Sequence, residues 1–199
     1  MDHSSAGSGR TESAHRHAAL RRWPSLLGLA TAASLLGLAV AVPKLVFGAG
    51  HEAVAIVVCV AALCYLSAAA LGRPWVAWAA IGGASVLVTV SKIAGLAWWG
   101  VFGVAAVALV AVGLLRRVPG PAFTAQVAAL VGYGGLAVAT GWLPSRTGLV
   151  LVGLLLASHG IWDLVHYRRD RVVSRSLAEC CMLLDVPLGL GAVVLAFLV

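Results

Sequence analysis

From Leu26 onward the chain is a succession of apolar runs of about twenty residues, separated by short polar breaks. As a helix, a run of that length crosses the hydrocarbon core of a bilayer. In lipid every backbone N–H and C=O must find a partner within the protein, which leaves helices or a closed barrel. Barrel strands alternate apolar and polar residues over short segments. These runs are continuous, so they predict helices. Seven are legible: Leu26–Phe47, Ala53–Leu71, Trp75–Ser91, Leu96–Leu115, Phe123–Trp142, Thr147–His166 and Cys180–Val199. The breaks between them carry turn-forming or charged residues: "GAGHE", "GRP", "SKIAG", "RRVPGP", "LPSRTG" and the longer "YRRDRVVSRSLAE". Only 11% of the 199 residues are charged, against about 25% in soluble domains.

The expected architecture is therefore an all-α integral membrane bundle of about seven transmembrane helices over residues 25–199. A small, polar, basic segment, residues 1–24, precedes it and reads as a disordered cytoplasmic tail. The first run is too long for the apolar region of a signal peptide and is expected to be retained. Pro43 and Pro187 fall inside the first and last runs, where a kink is tolerable if neighbours satisfy the freed carbonyls.

Lysine and arginine set the orientation. With the N-terminus in the cytoplasm, Arg10, Arg16, Arg21, Arg22, Arg73, Arg116, Arg117, Arg168, Arg169, Arg171 and Arg175 lie inside, and only Lys44, Lys92 and Arg146 lie outside. The alternation holds at every break and places the C-terminus outside, in a multipass protein of the plasma membrane. The net charge of +7 then needs no nucleic-acid partner, because topology accounts for the basic loops; the partner is the lipid bilayer. The aromatic residues agree. Trp23, Trp75 and Trp78 fall near the inner interface, and Phe47, Trp98, Trp99 and Trp142 near the outer one. Gly82, Gly83, Gly132, Gly134, Gly135, Gly189 and Gly191 are candidate points of close helix approach. Cys59, Cys64, Cys180 and Cys181 read as small apolar residues, with no disulfide expected on the reducing inner side.

The sixth run ends in "SHGIWDLVH", an unusual close for a segment suited to lipid. His159 and Asp163 are four apart and Asp163 and His166 three apart, so all three share one helix stripe. The seventh run, "ECCMLLDVPLG", brings Asp185 to a similar depth on the returning helix. Ionised side chains cost about 3 kcal/mol at such depth, so they face the bundle interior and find partners. Three readings follow: interhelical polar pairing, a metal site, and a proton relay. His159, Asp163, His166 and Asp185 are the candidate metal ligands, with zinc the first ion to consider because an N/O donor set suits it. His166 would be the fourth ligand or a base.

Other polar residues weigh less. Glu179 lies about 120° from the Asp185 face and reads as solvated. Cys181 and Met182 share that face and would suit a soft ion, though packing is their commoner use. His51 and Glu52 read as an exposed pair at the outer interface, and Lys92 as a side chain reaching for headgroups. Tyr65 and Ser67 lie at a depth from which they could reach the site. His3, His15 and His17 belong to the tail.

The motif "HGIWDLVH", followed by an arginine-rich loop and an aspartate in the next run, resembles small multipass proteins of actinobacterial type that carry an H-G-x-W-D-x-x-H motif. That resemblance implies no activity. The span count and the types of His159, Asp163, His166 and Asp185 are also similar to the seven-span hydrolases that include alkaline ceramidases and adiponectin-type receptors. This second resemblance implies an intramembrane zinc and hydrolysis of a lipid-like substrate. The chain departs from that pattern in having no histidine in its last run and no Ser-x3-His in an early one. The expectation is a membrane protein with a His/Asp polar or metal site in the cytoplasmic half of its last two helices. A zinc-dependent intramembrane hydrolase and a proton-coupled small-solute transporter are the alternatives.

Overall fold

The structure, a computed structural model, describes residues 22–35, 51–118 and 120–198. These residues form seven helices and no strand. Residues 22–35 are helical and are called α1. The others are α2 (Glu52–Leu71), α3 (Val76–Ile93), α4 (Trp98–Leu115), α5 (Gly120–Trp142), α6 (Ser145–Arg169) and α7 (Arg175–Leu198). The last six are long and apolar enough to cross a membrane. The second half of the first apolar run, most of the polar tail and its three histidines lie outside the described residues.

The helices overrun the apolar runs where charged or polar residues can sit at an interface. α6 continues through Arg169, and α7 begins at Arg175, five residues before the apolar run. The long arginine-rich break is thereby reduced to a tight turn. Within it Asp170 and Val172 take left-handed backbone angles, φ 48° and 74°. For a β-branched residue such as Val172 that region is a true outlier, and it is held there by the burial of Val173 beside it.

α2 is the hub. It packs against α3, α4, α5, α6 and α7, and from Ala61 to Ala70 every residue is buried. Its many alanines, with Ser67, Cys59 and Cys64, keep it thin enough to be surrounded. The outer helices turn Val86, Val90, Val104, Val107 and Leu114 outward. In water these side chains would form aggregation-prone patches; in lipid they face their natural solvent.

The most extensive pairing joins α6 and α7, and glycine makes it possible. A Cβ on Gly189 would lie 2.5 Å from the backbone of Ala157 and Gly153, and one on Gly153 would lie 2.7 Å from Gly189 O. Gly82, Gly83, Gly132 and Gly135, expected as contact points, have nothing within 4 Å. They lie on outward faces. Of the expected contacts, Gly134 and Gly189 do meet neighbours.

α1 lies along the start of α3 and α7. Trp23 meets Trp78 with ring centroids 5.1 Å apart, Gly28 lies against Cys180 O, and Ser25 donates a hydrogen bond to Glu179. Glu179 is thus partnered rather than solvated. Arg116 Nη1 donates to Leu71 O, tying the ends of α4 and α2, while Arg146 sits over Phe197 at the opposite end of the α6–α7 pair. The arginines of the described chain, Arg146 excepted, gather at one end of the bundle, called here the arginine end.

At the other end Lys92 donates to Glu52 at 2.6 Å. Glu52 therefore pairs with Lys92 and not with His51, and Lys92 is engaged within the bundle. Both side chains are more than a third exposed, so the pair is worth at most about 1 kcal/mol. Glu52→Gln is expected to shift the apparent Tm in detergent by less than about 4 °C, read by thermal unfolding. His51 packs instead against Gly148.

Candidate functional site

α6 carries His159, Asp163 and Gly160 toward α2 and α7, and the Gly153–Gly189 contact brings α7 close enough for Asp185 to meet them. His159 and Asp163 are fully buried, and Asp185 is 1% exposed. His159 Nδ1 lies 2.9 Å from Asp185 Oδ2 and 3.5 Å from Asp163 Oδ1. One ligand atom from each of the three residues falls within 4.8 Å of the others. Tyr65 of α2 completes the group: its hydroxyl donates to Asp163 Oδ1 at 2.6 Å. Ser67, read as a possible neighbour, instead donates to Leu63 O on its own helix.

Two atoms in this cluster have no partner, His159 Nε2 and Asp163 Oδ2. A buried polar atom left unpaired costs about 1–3 kcal/mol. Among the described residues only His51 Nδ1, at the other end of the bundle, shares that state, so two such atoms in one cluster mark a place with room for one more interaction.

His166 does not join the three. It lies one turn nearer the arginine end, and both of its ring nitrogens are engaged elsewhere. The chemistry of its partners fixes its tautomer. The indole of Trp162 can only donate, and it donates to Gln126 Oε1 at 3.2 Å. The amide NH₂ of Gln126 therefore points at His166 Nε2, 2.9 Å away, which must accept. The proton then sits on His166 Nδ1, which donates to Trp162 O at 2.9 Å. All polar atoms in this small circuit are matched. His166 also meets the edge of Tyr65, with centroids 4.9 Å apart, and so touches the cluster through Tyr65.

Gln126 is the residue that sequence reading missed. It is 1% exposed and lies in the apolar first half of α5. Its signal was available, since an amide inside a span is costly unless it faces a partner. Tyr133 was missed as well. Its ring stands edge-on to His159 at 5.0 Å, and its hydroxyl donates to Ser158 O at 3.4 Å. A π-helical segment, Leu130–Gly134, places it there. Such segments leave backbone groups short of partners, and Cys59 Sγ meets Gly134 O at 3.8 Å. Cys59, Cys64, Cys180 and Cys181 are all free thiols.

Gln126→Leu tests the circuit. It leaves the Trp162 N–H and His166 Nε2 without their protein partner, at up to about 1–3 kcal/mol each. The expected result is a fall in apparent Tm of at least several degrees, with an altered Trp162 emission. An unchanged Tm and emission would mean that the circuit does not form.

α5 and α6 meet near Trp142 and separate toward the arginine end. The gap is a cavity of about 420 Å³ lined by Pro121, Ala122, Ala125 and Gln126 of α5, Trp162, Val165, His166 and Arg169 of α6, and Arg171 and Val172 of the turn. The Gln126–Trp162–His166 circuit forms its floor, between the cavity and the His/Asp cluster. Comparison of the chain with protein-family models, with characterised proteins and with solved structures finds no match.

Proposed function

We propose that this is a multipass protein of the cell membrane, N-terminus cytoplasmic and C-terminus outside, whose centre is a divalent-metal site held by His159, Asp163 and Asp185. Zinc is the first candidate. The observation that carries the reading is the convergence of these three donors on one fully buried spot. Two ligand atoms that share a tetrahedral zinc at about 2.05 Å stand about 3.3 Å apart. The 2.9 and 3.5 Å separations around His159 Nδ1 bracket that value. Charge supports it too. Two carboxylates buried inside the bundle are balanced by one divalent cation with a neutral imidazole. Asp163 Oδ1 would keep its hydrogen bond from Tyr65, the kind of outer partner that orients a ligand.

Three protein ligands leave a position for water, which zinc makes available as hydroxide near neutral pH. Hydrolysis of a lipid-like substrate is the reaction class this implies, in keeping with the resemblance to seven-span hydrolases. His166 stands outside the ligand set and would position Tyr65. A second reading, a proton relay in a carrier, is favoured by one observation: the chain Asp185, His159, Asp163, Tyr65 is continuous at hydrogen-bonding or near hydrogen-bonding distances.

The test is elemental. The protein is purified in mild detergent without a histidine tag, after growth with metals supplied, and zinc, iron, copper and manganese are quantified. The expected result is about one ion per chain, removable by a chelator. A folded protein without metal would overturn the metal centre. pH-driven solute uptake by that ion-free protein in vesicles would then carry the relay.

A further inference from the structure

The cavity between α5 and α6 differs from two other openings among the described residues. One of these is a groove of about 300 Å³ lined only by apolar side chains, glycines and Cys59. The other lies under Trp98, Trp99 and Trp142 beside Glu52, whose carboxylate is already held by Lys92. The cavity at the arginine end instead combines two kinds of wall. Pro121, Ala122, Ala125, Val165 and Val172 give apolar sides, and the exposed Arg169 and Arg171 stand at its rim.

The two guanidinium groups face different demands. Arg175 has a carboxylate partner in Asp170, at 3.3 Å. No carboxylate lines the cavity beside Arg169 and Arg171. The strained Val172 belongs to the same turn, so the backbone that presents Arg171 is fixed by burial rather than free. The lining comes from two helices and the turn that follows one of them, so the cavity opens between neighbouring helices at the end where headgroups would lie. Its volume is in the range of small-molecule sites, about 300–1,000 Å³.

We propose that this cavity binds the phosphate-bearing head of an anionic membrane lipid. The phosphate lies between Arg169 and Arg171, and the start of an acyl chain lies against Ala122, Ala125 and Val165. Guanidinium groups match phosphate oxygens in pairs, and the apolar walls suit a glycerol ester and the first carbons of a chain. The head then rests on His166 and Gln126, one ring away from Tyr65 and Asp163. Lipid binding needs no metal. That the bound lipid is what the centre acts on rests on the metal reading above.

Binding is read directly by native mass spectrometry of the intact protein in detergent, titrated with dioleoylphosphatidylglycerol, with dioleoylphosphatidylcholine and with inorganic phosphate. The expected result is retention of phosphatidylglycerol and not of phosphatidylcholine. Arg169→Gln/Arg171→Gln is expected to weaken retention on the order of tenfold or more. Ala125→Phe, which fills the cavity, is expected to abolish it. Arg73→Gln/Arg117→Gln removes the same charge from the same end away from the cavity and is expected to leave retention unchanged. Equal loss in both arginine pairs would reduce the effect to general attraction at the bilayer surface and overturn the site. Equal retention of phosphatidylcholine would overturn the anionic head, and displacement by inorganic phosphate at matched concentration would overturn the lipid in favour of free phosphate. Asp163→Asn/Asp185→Asn separates the two proposals, because it is expected to remove metal and leave lipid retention intact.

Discussion

Replacing Asp163 and Asp185 together by asparagine is expected to empty the centre of metal while leaving the bundle folded. Asparagine keeps the volume of aspartate, and its carbonyl can still accept from the Tyr65 hydroxyl and from His159 Nδ1–H. What disappears is both negative charges. The double variant should fall from about one ion per chain to less than about a tenth. The thermal response should cross over. An ion present at a hundredfold excess over its Kd adds about 2.7 kcal/mol to stability, so chelation should lower the apparent Tm of the natural protein by roughly 5–10 °C. Once stripped, the natural protein must pair or protonate two buried carboxyls, at a cost that the neutral asparagine pair does not carry. The double variant should then be as stable as the stripped natural protein or more so, and indifferent to chelator. A chelator response of the same size in both would put the metal elsewhere. No response in either, together with no bound ion, would leave pairing or proton relay as the role of the cluster.

The sequence carried the helices and three of the cluster's members for different reasons. The helices are legible because lipid imposes one rule on every residue of a span, and the rule is local. His159, Asp163 and Asp185 are legible because charge at that depth is rare and costly, and because one helical period relates the first two. His166 shares their period, yet its partners are on α5, which no spacing within α6 reveals. Gln126 carries the same signal of cost inside a span, though nothing within α5 names its partners, and Tyr133 carries none. A π-helical segment closes its hydrogen bonds over one more residue than an α-helix, so the face that Tyr133 presents depends on a distortion set by packing. The glycines show the limit most clearly. α3, α4 and α5 are apolar on every side, so sequence cannot say which glycines look inward, and Gly82, Gly83, Gly132 and Gly135 look outward. The pair that matters, Gly153 and Gly189, is defined only by the register of α6 against α7.

That register gives the other large effect. Gly189→Ala is expected to damage both the fold and the centre. The added Cβ would lie 2.5 Å from Ala157 N and 2.5 Å from Gly153 O. Both are backbone atoms inside helices, so neither can step aside, and the helices themselves must part. Overpacking of this kind costs about 1–3 kcal/mol, or a fall in apparent Tm of roughly 2–12 °C. Asp185 sits one helical turn from Gly189, so parting the helices there also lengthens the 2.9 Å contact between Asp185 and His159. Bound metal should fall along with stability. Gly160→Ala separates close packing from backbone collision. Its Cβ would meet a single side-chain methyl, Val186 Cγ2, and no backbone atom, so the helices need not part and a loss of stability with metal retained is expected. Gly82→Ala has open space around it and should match the natural protein or gain up to about 1 kcal/mol from helix propensity. If Gly189→Ala unfolds at the same temperature as Gly82→Ala and keeps its metal, α6 and α7 do not pack through this glycine pair, and the convergence of His159 with Asp185 loses its structural basis.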